Sequence, residues 1–335
     1  MSTCGTPAII DVDPGVDDAA ALFIALTCSR LDTSLVTTVG GSIGVNQATA
    51  NALKLEAFLG TRALVARGRD LPNSEKRHYM QPTLGPSGLG SWVFADEAWD
   101  LFYNVPAKDA ICQTAKSAAA KGQRACMICL APLTNLADAL EAHPDLPDIL
   151  GPVFCMGSTM GTGDTLQRAG RNVAADPASA KAVLASGLDV FLVPVEVAAA
   201  VRMSDLDMAD IALSGRVGNA VYTMLSGAQS LDGKGKEIAD PIAVGLATHP
   251  EFFTVVPGEL EVEDDGSCGM KIGEEAAHPN CRVATAIDVH AFRAWFKWAL
   301  ERASRERISS AHAQLCAHLC SFAACPPICV PSRLE

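Results

Sequence analysis

Four aspartates fall within eight residues near the start of the chain: Asp11, Asp13, Asp17 and Asp18. Carboxylates this close repel one another. The arrangement is stable only where a cation or many hydrogen-bond donors neutralise it. Hard oxygen ligands of this kind suit a divalent cation, and a carboxylate beside one can take a proton from water.

The elements around the cluster decide what it can reach. The apolar run Pro7–Val12 reads as a buried strand and Ala19–Leu26 as a helix, with Pro14 and Gly15 marking a tight turn between them. The acids therefore sit at the carboxyl end of a first strand, where open α/β sheets bind ligands. One reading is an Asp-rich turn capping the helix, which accounts for Asp17 and Asp18 better than for Asp11 and Asp13. A calcium loop of the EF-hand type is excluded, because the twelfth residue from Asp11 is Leu22 and not Glu. An Asp-x-Asp phosphatase of the haloacid dehalogenase type would use Asp11 as nucleophile and Asp13 as acid. Gly15 stands where that class usually has Thr or Val.

Strand and helix signals alternate along the rest of the chain, which predicts an α/β fold: an open, mostly parallel, Rossmann-like sheet with helices on both faces. Strands are expected at 34–41, 63–66, 125–130, 153–156 and 190–195, with two more near 259 and 283. Helices are expected at 46–59, with Gly60 as the stop, at 178–186, within 204–248, and from about 289. Residues 69–95 read as a long loop. The domain division expected is 1–310 for the catalytic unit and 311–335 for a tail containing Cys and Pro.

The pattern Asp11-Val12-Asp13-Pro14-Gly15-Val16-Asp17-Asp18-Ala19 resembles the N-terminal signature of the inosine–uridine nucleoside hydrolase family. The resemblance continues through Ala131-Pro132-Leu133-Thr134-Asn135-Leu136-Ala137, Val153-Phe154-Cys155-Met156-Gly157 and Asn172-Val173-Ala174-Ala175-Asp176-Pro177. It closes with Ala239-Asp240-Pro241-Ile242-Ala243 and Val283–Asp288 followed by Phe292, so it covers residues 7–303. It implies calcium-dependent hydrolysis of the N-glycosidic bond of ribonucleosides, in nucleoside metabolism such as purine salvage. The Ca2+ ligands implied are Asp13, Asp18, Asp240 and the main-chain carbonyl of Leu130, with Asp11 behind them as an orienting acceptor. Asp13 is also the implied catalytic base. Asp17, Asn172, Asp164, Met156 and Ser42 are the implied substrate contacts. The alternative for Asp240 is a helix N-cap before Pro241. The implied partner is a small-molecule nucleoside, and the implied assembly a homo-oligomer, dimer or tetramer.

The departures lie on the sugar's 5′ side and at the leaving group. Ser42 and Asp164 stand where the family has Asn, Gly170 where it has Glu, and Ala239 and Leu84 where it has His. Three explanations follow. The chain could activate the base differently, with Trp92, Tyr79 or His78 of the long loop reaching it. It could act on a ribosyl compound carrying a 5′ substituent that meets Arg171. It could be a weakened homologue that binds a nucleoside or ribose without turnover. Packing within the loop is the competing role for Trp92, and solvent exposure for His78.

Composition bounds the remaining options. The 335 residues carry 26 basic and 38 acidic side chains, a net charge of −12, which disfavours nucleic acid polymers. No apolar run is long enough to span a bilayer, and Met1-Ser2-Thr3-Cys4 opens no signal segment, so the expectation is a cytoplasmic protein without membrane attachment. Of the twelve cysteines, Cys28, Cys126, Cys129 and Cys155 lie in apolar segments as small core residues. Cys316, Cys320, Cys325 and Cys329 crowd the tail, where a metal or redox role is the alternative to a lineage-specific extension.

Overall fold

The computed structural model describes residues 5–71, 84–161, 171–226 and 235–322, with side chains described as far as residue 305. Its strands are β1 (Thr6–Val12), β2 (Leu31–Thr38), β3 (Leu64–Arg67), β4 (Phe102–Tyr103), β5 (Ala125–Cys129), β6 (Leu150–Met156), β7 (Val190–Val193), β8 (Arg202–Met203), β9 (Lys236–Glu237), β10 (Phe253–Val262), β11 (Cys268–Ile272) and β12 (Cys281–Ile287). Ten of them form one sheet in the order β11-β10-β12-β7-β6-β5-β1-β2-β3-β4, and β8 pairs with β9 in a separate ribbon. From β12 to β4 every neighbour is parallel; β10 runs antiparallel to both β11 and β12.

The helices are α1 (Val16–Thr27), α2 (Val45–Leu59), α3 (Ala107–Ala119), α4 (Thr134–Ala142), α5 (Leu146–Ile149), α6 (Arg171–Ala175), α7 (Pro177–Leu184), α8 (Val195–Ala200), α9 (Asp205–Leu213), α10 (Arg216–Ser226), α11 (Asp240–Thr248) and α12 (Val289–Phe322). They cover both faces of the sheet. Strand side chains alternate between faces, and the two cores show it: Ala8, Ile10, Val12, Cys126 and Ile128 pack with α1, α10, α11 and α12, whereas Ile9, Ala125, Met127 and Cys129 pack with α3, α4 and α7. Burial on both sides is why β1 and β5 read as continuous apolar runs.

Chain order reverses beside β1, whose two neighbours are β2 and β5. A crevice opens at such a switch point, outside the carboxyl ends of the strands. Asp13 follows β1 and Leu130 follows β5, so both lie at its edge. α2 stops where expected, at Gly60, whose φ of 75° is the left-handed cap conformation that favours glycine.

Several boundaries differ from the sequence expectation. β2 starts at Leu31 and ends at Thr38, which leaves Val39–Gly41 as a loop beside Asp13. α3 and β11 were not anticipated. α3 buries small side chains, four alanines with Ile111 and Cys112, and is low in overall apolarity. β11 contains Gly269 and Lys271 and pairs only with β10, at the sheet edge. α12 runs through residue 310 as helical backbone to Phe322.

Candidate active site

The turn after β1 and the start of α11 meet because α1 and α11 pack against one another. This brings residues far apart in sequence into one cluster. Carboxylate oxygens of Asp17, Asp18 and Asp240 all lie within 4.8 Å of one another. Asp18 accepts the Gly15 N–H at 3.1 Å through Oδ2, a helix-start bond, while its buried Oδ1 has no hydrogen-bond partner. Asp240 is the first residue of α11 and makes no capping bond, so the N-cap alternative does not account for it. Asp13 accepts the Ser42 N–H through Oδ2.

Burial dominates the electrostatics. It pushes the Asp13 carboxyl up to about 7, with the charge of Asp17 adding to it and the bonds from Ser42 opposing it. Burial also raises Asp18 and Asp240 well above the usual carboxylate range, and each is pushed further by its acidic neighbours. Asp13, Asp18 and Asp240 share a space that favours their neutral forms, and a buried acceptor oxygen lacks a donor. A divalent cation satisfies both conditions at once. The carboxylates of Asp17, Asp18 and Asp240 are a hard-oxygen donor set that fits such an ion, and Asp13 and Leu130 line the same cleft.

Asp11 is fully buried behind this set. Its Oδ1 accepts from Thr37 Oγ1 and from Asn135 Nδ2 at 2.8 Å, and burial raises it to about 7. It does not line the cleft, so the nucleophile required by the phosphatase reading is out of reach. Asn135 also donates to the Thr38 carbonyl at 3.1 Å, and Thr134 Oγ1 donates to Asp176 at 2.7 Å. Two of the sequence motifs are thus interlocked supports for β1.

The cleft has a volume of about 300 Å³. Asp13, Asp17, Asp18 and Asp240 line it together with Ser42, Leu130, Met156, Arg171 and Asn172. Asn172 donates through Nδ2 to the carbonyls of Leu130 and Met156, both at 2.9 Å. With both amide hydrogens used, its Oδ1 is an acceptor. Leu84 and Ala239 also line the cleft, so the two positions where histidine is usual face the ligand space with aliphatic side chains. Asp164, Tyr79, His78 and Gly170 lie outside the described residues. Trp92 is not in the cleft wall; it packs edge-on against Phe58 at 6.1 Å and beside Phe94 at 6.3 Å.

Sequence reasoning missed Glu237, which is paired with Arg202 across the small ribbon, and the apolar wall of Val195, Ala198, Ala199 and Leu225. The ribbon strands are two residues long, too short for any periodicity to mark.

Gly41 gives the site a test. A Cβ there would stand 2.2 Å from Asp13 Oδ2. Gly41→Ala is expected to displace the carboxylate, weaken divalent-cation binding about tenfold or more, and lower kcat by about 10²-fold. Cation titration and steady-state kinetics on the same preparation measure both.

Fold and site together define a class: an α/β protein with an acidic, cation-ready cleft at the switch point of a parallel sheet. The model of the inosine–uridine preferring nucleoside hydrolase family matches residues 8–294. The chain belongs to that family, whose members are metal-dependent N-glycosidases. It is 29% identical over 296 residues to the non-specific ribonucleoside hydrolase RihC of Klebsiella pneumoniae, covering 86% of this chain and 96% of the relative. Among solved structures it resembles the plant nucleoside hydrolase PpNRh1, with a TM-score of 0.78, 25% identity, and coverage of 88% of this chain and 99% of the other. The fold is also that of the purine-preferring ribonucleoside hydrolase from Gardnerella vaginalis, with a TM-score of 0.77, 22% identity, and coverage of 89% and 99%. Among the described residues no helix is long and apolar enough to cross a membrane.

Proposed function

We propose that this protein hydrolyses the N-glycosidic bond of ribonucleosides, releasing ribose and a free base, with Ca2+ held by Asp13, Asp18, Asp240 and the Leu130 carbonyl. The observation that carries this reading is the meeting of Asp13, Asp17 and Asp18 with Asp240, from distant parts of a nucleoside hydrolase family chain, around one cleft. A bound cation would neutralise the cluster and lower the pKa of water in the cleft. Asp13, oriented by Ser42, takes the water's proton as attack on the anomeric carbon begins. Positive charge then spreads onto the ring oxygen, and the surrounding carboxylates favour it. Asp17 accepts from the ribose hydroxyls, with Asn172 Oδ1 beside it. Met156 and Ser42, both in the cleft wall, complete the proposed sugar contacts together with Asp164, which lies outside the described residues. With Ala239 and Leu84 in place of histidines, the leaving base must get its proton from another source.

A homo-oligomer, dimer or tetramer, belongs to the same reading; exposed Leu206, Leu213 and Trp298 offer apolar surface for it. A cytoplasmic location is likewise part of the proposal.

Ribose release from a panel of purine and pyrimidine nucleosides tests the reading. We expect turnover that a chelator abolishes and Ca2+ restores better than Mg2+. Tight nucleoside binding without ribose release would instead establish a binding protein.

A further inference from the structure

We propose that Cys112, His143 and Asp145 form a transition-metal site of the zinc class, separate from the carboxylate cleft. Cys112 lies on α3, His143 ends α4, and Asp145 precedes α5. One ligand atom from each lies within 4.8 Å of the other two. Tetrahedral zinc with bonds of about 2.0–2.3 Å holds its ligand atoms about 3.5 Å apart. Closing the trio therefore needs side-chain shifts on the order of 1 Å. A thiolate, an imidazole and a carboxylate suit zinc or cobalt, whereas calcium and magnesium demand oxygen. Three protein ligands leave the fourth position to water.

Two further contacts point to a cation here. His143 Nε2 lies 2.9 Å from Asp109 Oδ1, the carboxylate–imidazole pairing that orients metal-binding histidines and leaves Nδ1 with its lone pair. Lys116 reaches Asp145 at 3.1 Å and also bonds Cys112. Its ammonium marks a point between those two ligands where positive charge is already favoured. The Lys116 side chain is half exposed, so an incoming ion displaces it into water. Cys112 is only 2% exposed, and entry is from the open side of His143 and Asp145. On binding, the Cys112 thiol loses its proton to solvent and the thiolate binds the divalent ion. No electron is transferred. The bound ion ties α3 to the α4–α5 corner.

Cobalt titration of the metal-stripped full-length protein tests this independently of any hydrolysis. The expected result is a saturable sulfur-to-cobalt charge-transfer band at one equivalent, bleached by Zn2+. An all-oxygen cleft gives no such band, so failure here leaves the nucleoside hydrolase reading untouched. Cys112→Ser should abolish the band, and replacing the four tail cysteines with serine should preserve it. Lys116→Ala should tighten cobalt binding several-fold, a gain that misfolding cannot produce. Absence of a band in the wild type, its survival in Cys112→Ser, or weaker binding in Lys116→Ala would each overturn the proposal.

Discussion

Asp13→Asn is expected to lower kcat for ribonucleoside hydrolysis at least about a thousandfold, or roughly 4 kcal/mol of transition-state stabilisation. The amide keeps an oxygen to accept the Ser42 N–H, so the local fold has no reason to rearrange. On the proposed reading it removes the proton acceptor and one negative ligand together. The same change removes a buried like charge from beside Asp17, Asp18 and Asp240. The thermal midpoint of the metal-free variant at pH 8 should therefore equal or exceed that of the metal-free wild type. Ribose-release kinetics and a melting curve measured together check the pair. Activity within tenfold of wild type would remove Asp13 from the chemistry.

The second large effect couples pH to the cation. Burial raises Asp11 and Asp13 to about 7 in the folded protein, and raises Asp18 and Asp240 as well, against an unfolded value near 3.8. The folded state thus holds protons that the unfolded chain gives up. This contribution to stability is fully present below the unfolded pKa and is lost as pH rises through the folded values. Metal-stripped protein should melt at a lower temperature at pH 8 than at pH 5. Calcium should reverse the loss, with a larger stabilisation at pH 8, about 2.7 kcal/mol at a hundredfold excess over Kd. Glu56 supplies an internal control. It is buried on α2, bonded by Thr61 Oγ1 at 2.6 Å, and raised to about 7 by burial. It stands outside the cleft lining, so its share of the pH dependence should persist with calcium and vanish in Glu56→Gln. A midpoint that rises from pH 5 to 8 without metal would contradict the buried acidic cluster.

The two predictions draw on residues that differ in how legible they were. Asp11, Asp13, Asp17 and Asp18 are consecutive enough that their crowding is visible in the chain itself. The strand before them and the helix after them follow from apolar runs that a two-sided core requires. Gly60 announced its own cap. Two elements are poorly marked: α3 buries mostly alanines and is low in overall apolarity, and β11 is a short edge strand interrupted by glycine. The role of Asn135 was also hidden. Its motif was recognisable, but its bond to Asp11 across 124 positions was not.

Local chemistry, written in residue order, determined the acidic turn, the alternating elements, the family and the ligand types. Only the tertiary structure decided that Asp240 joins the cluster without capping its helix, that Asp11 stays out of the cleft wall, and that Trp92 packs against Phe58 of α2. It also brought Glu237 to the cleft and Cys112 to His143 and Asp145. Composition and periodicity report what a residue is and which face of its own element it occupies. Proximity between elements arises from how whole helices and strands pack, a property that no short stretch of sequence contains.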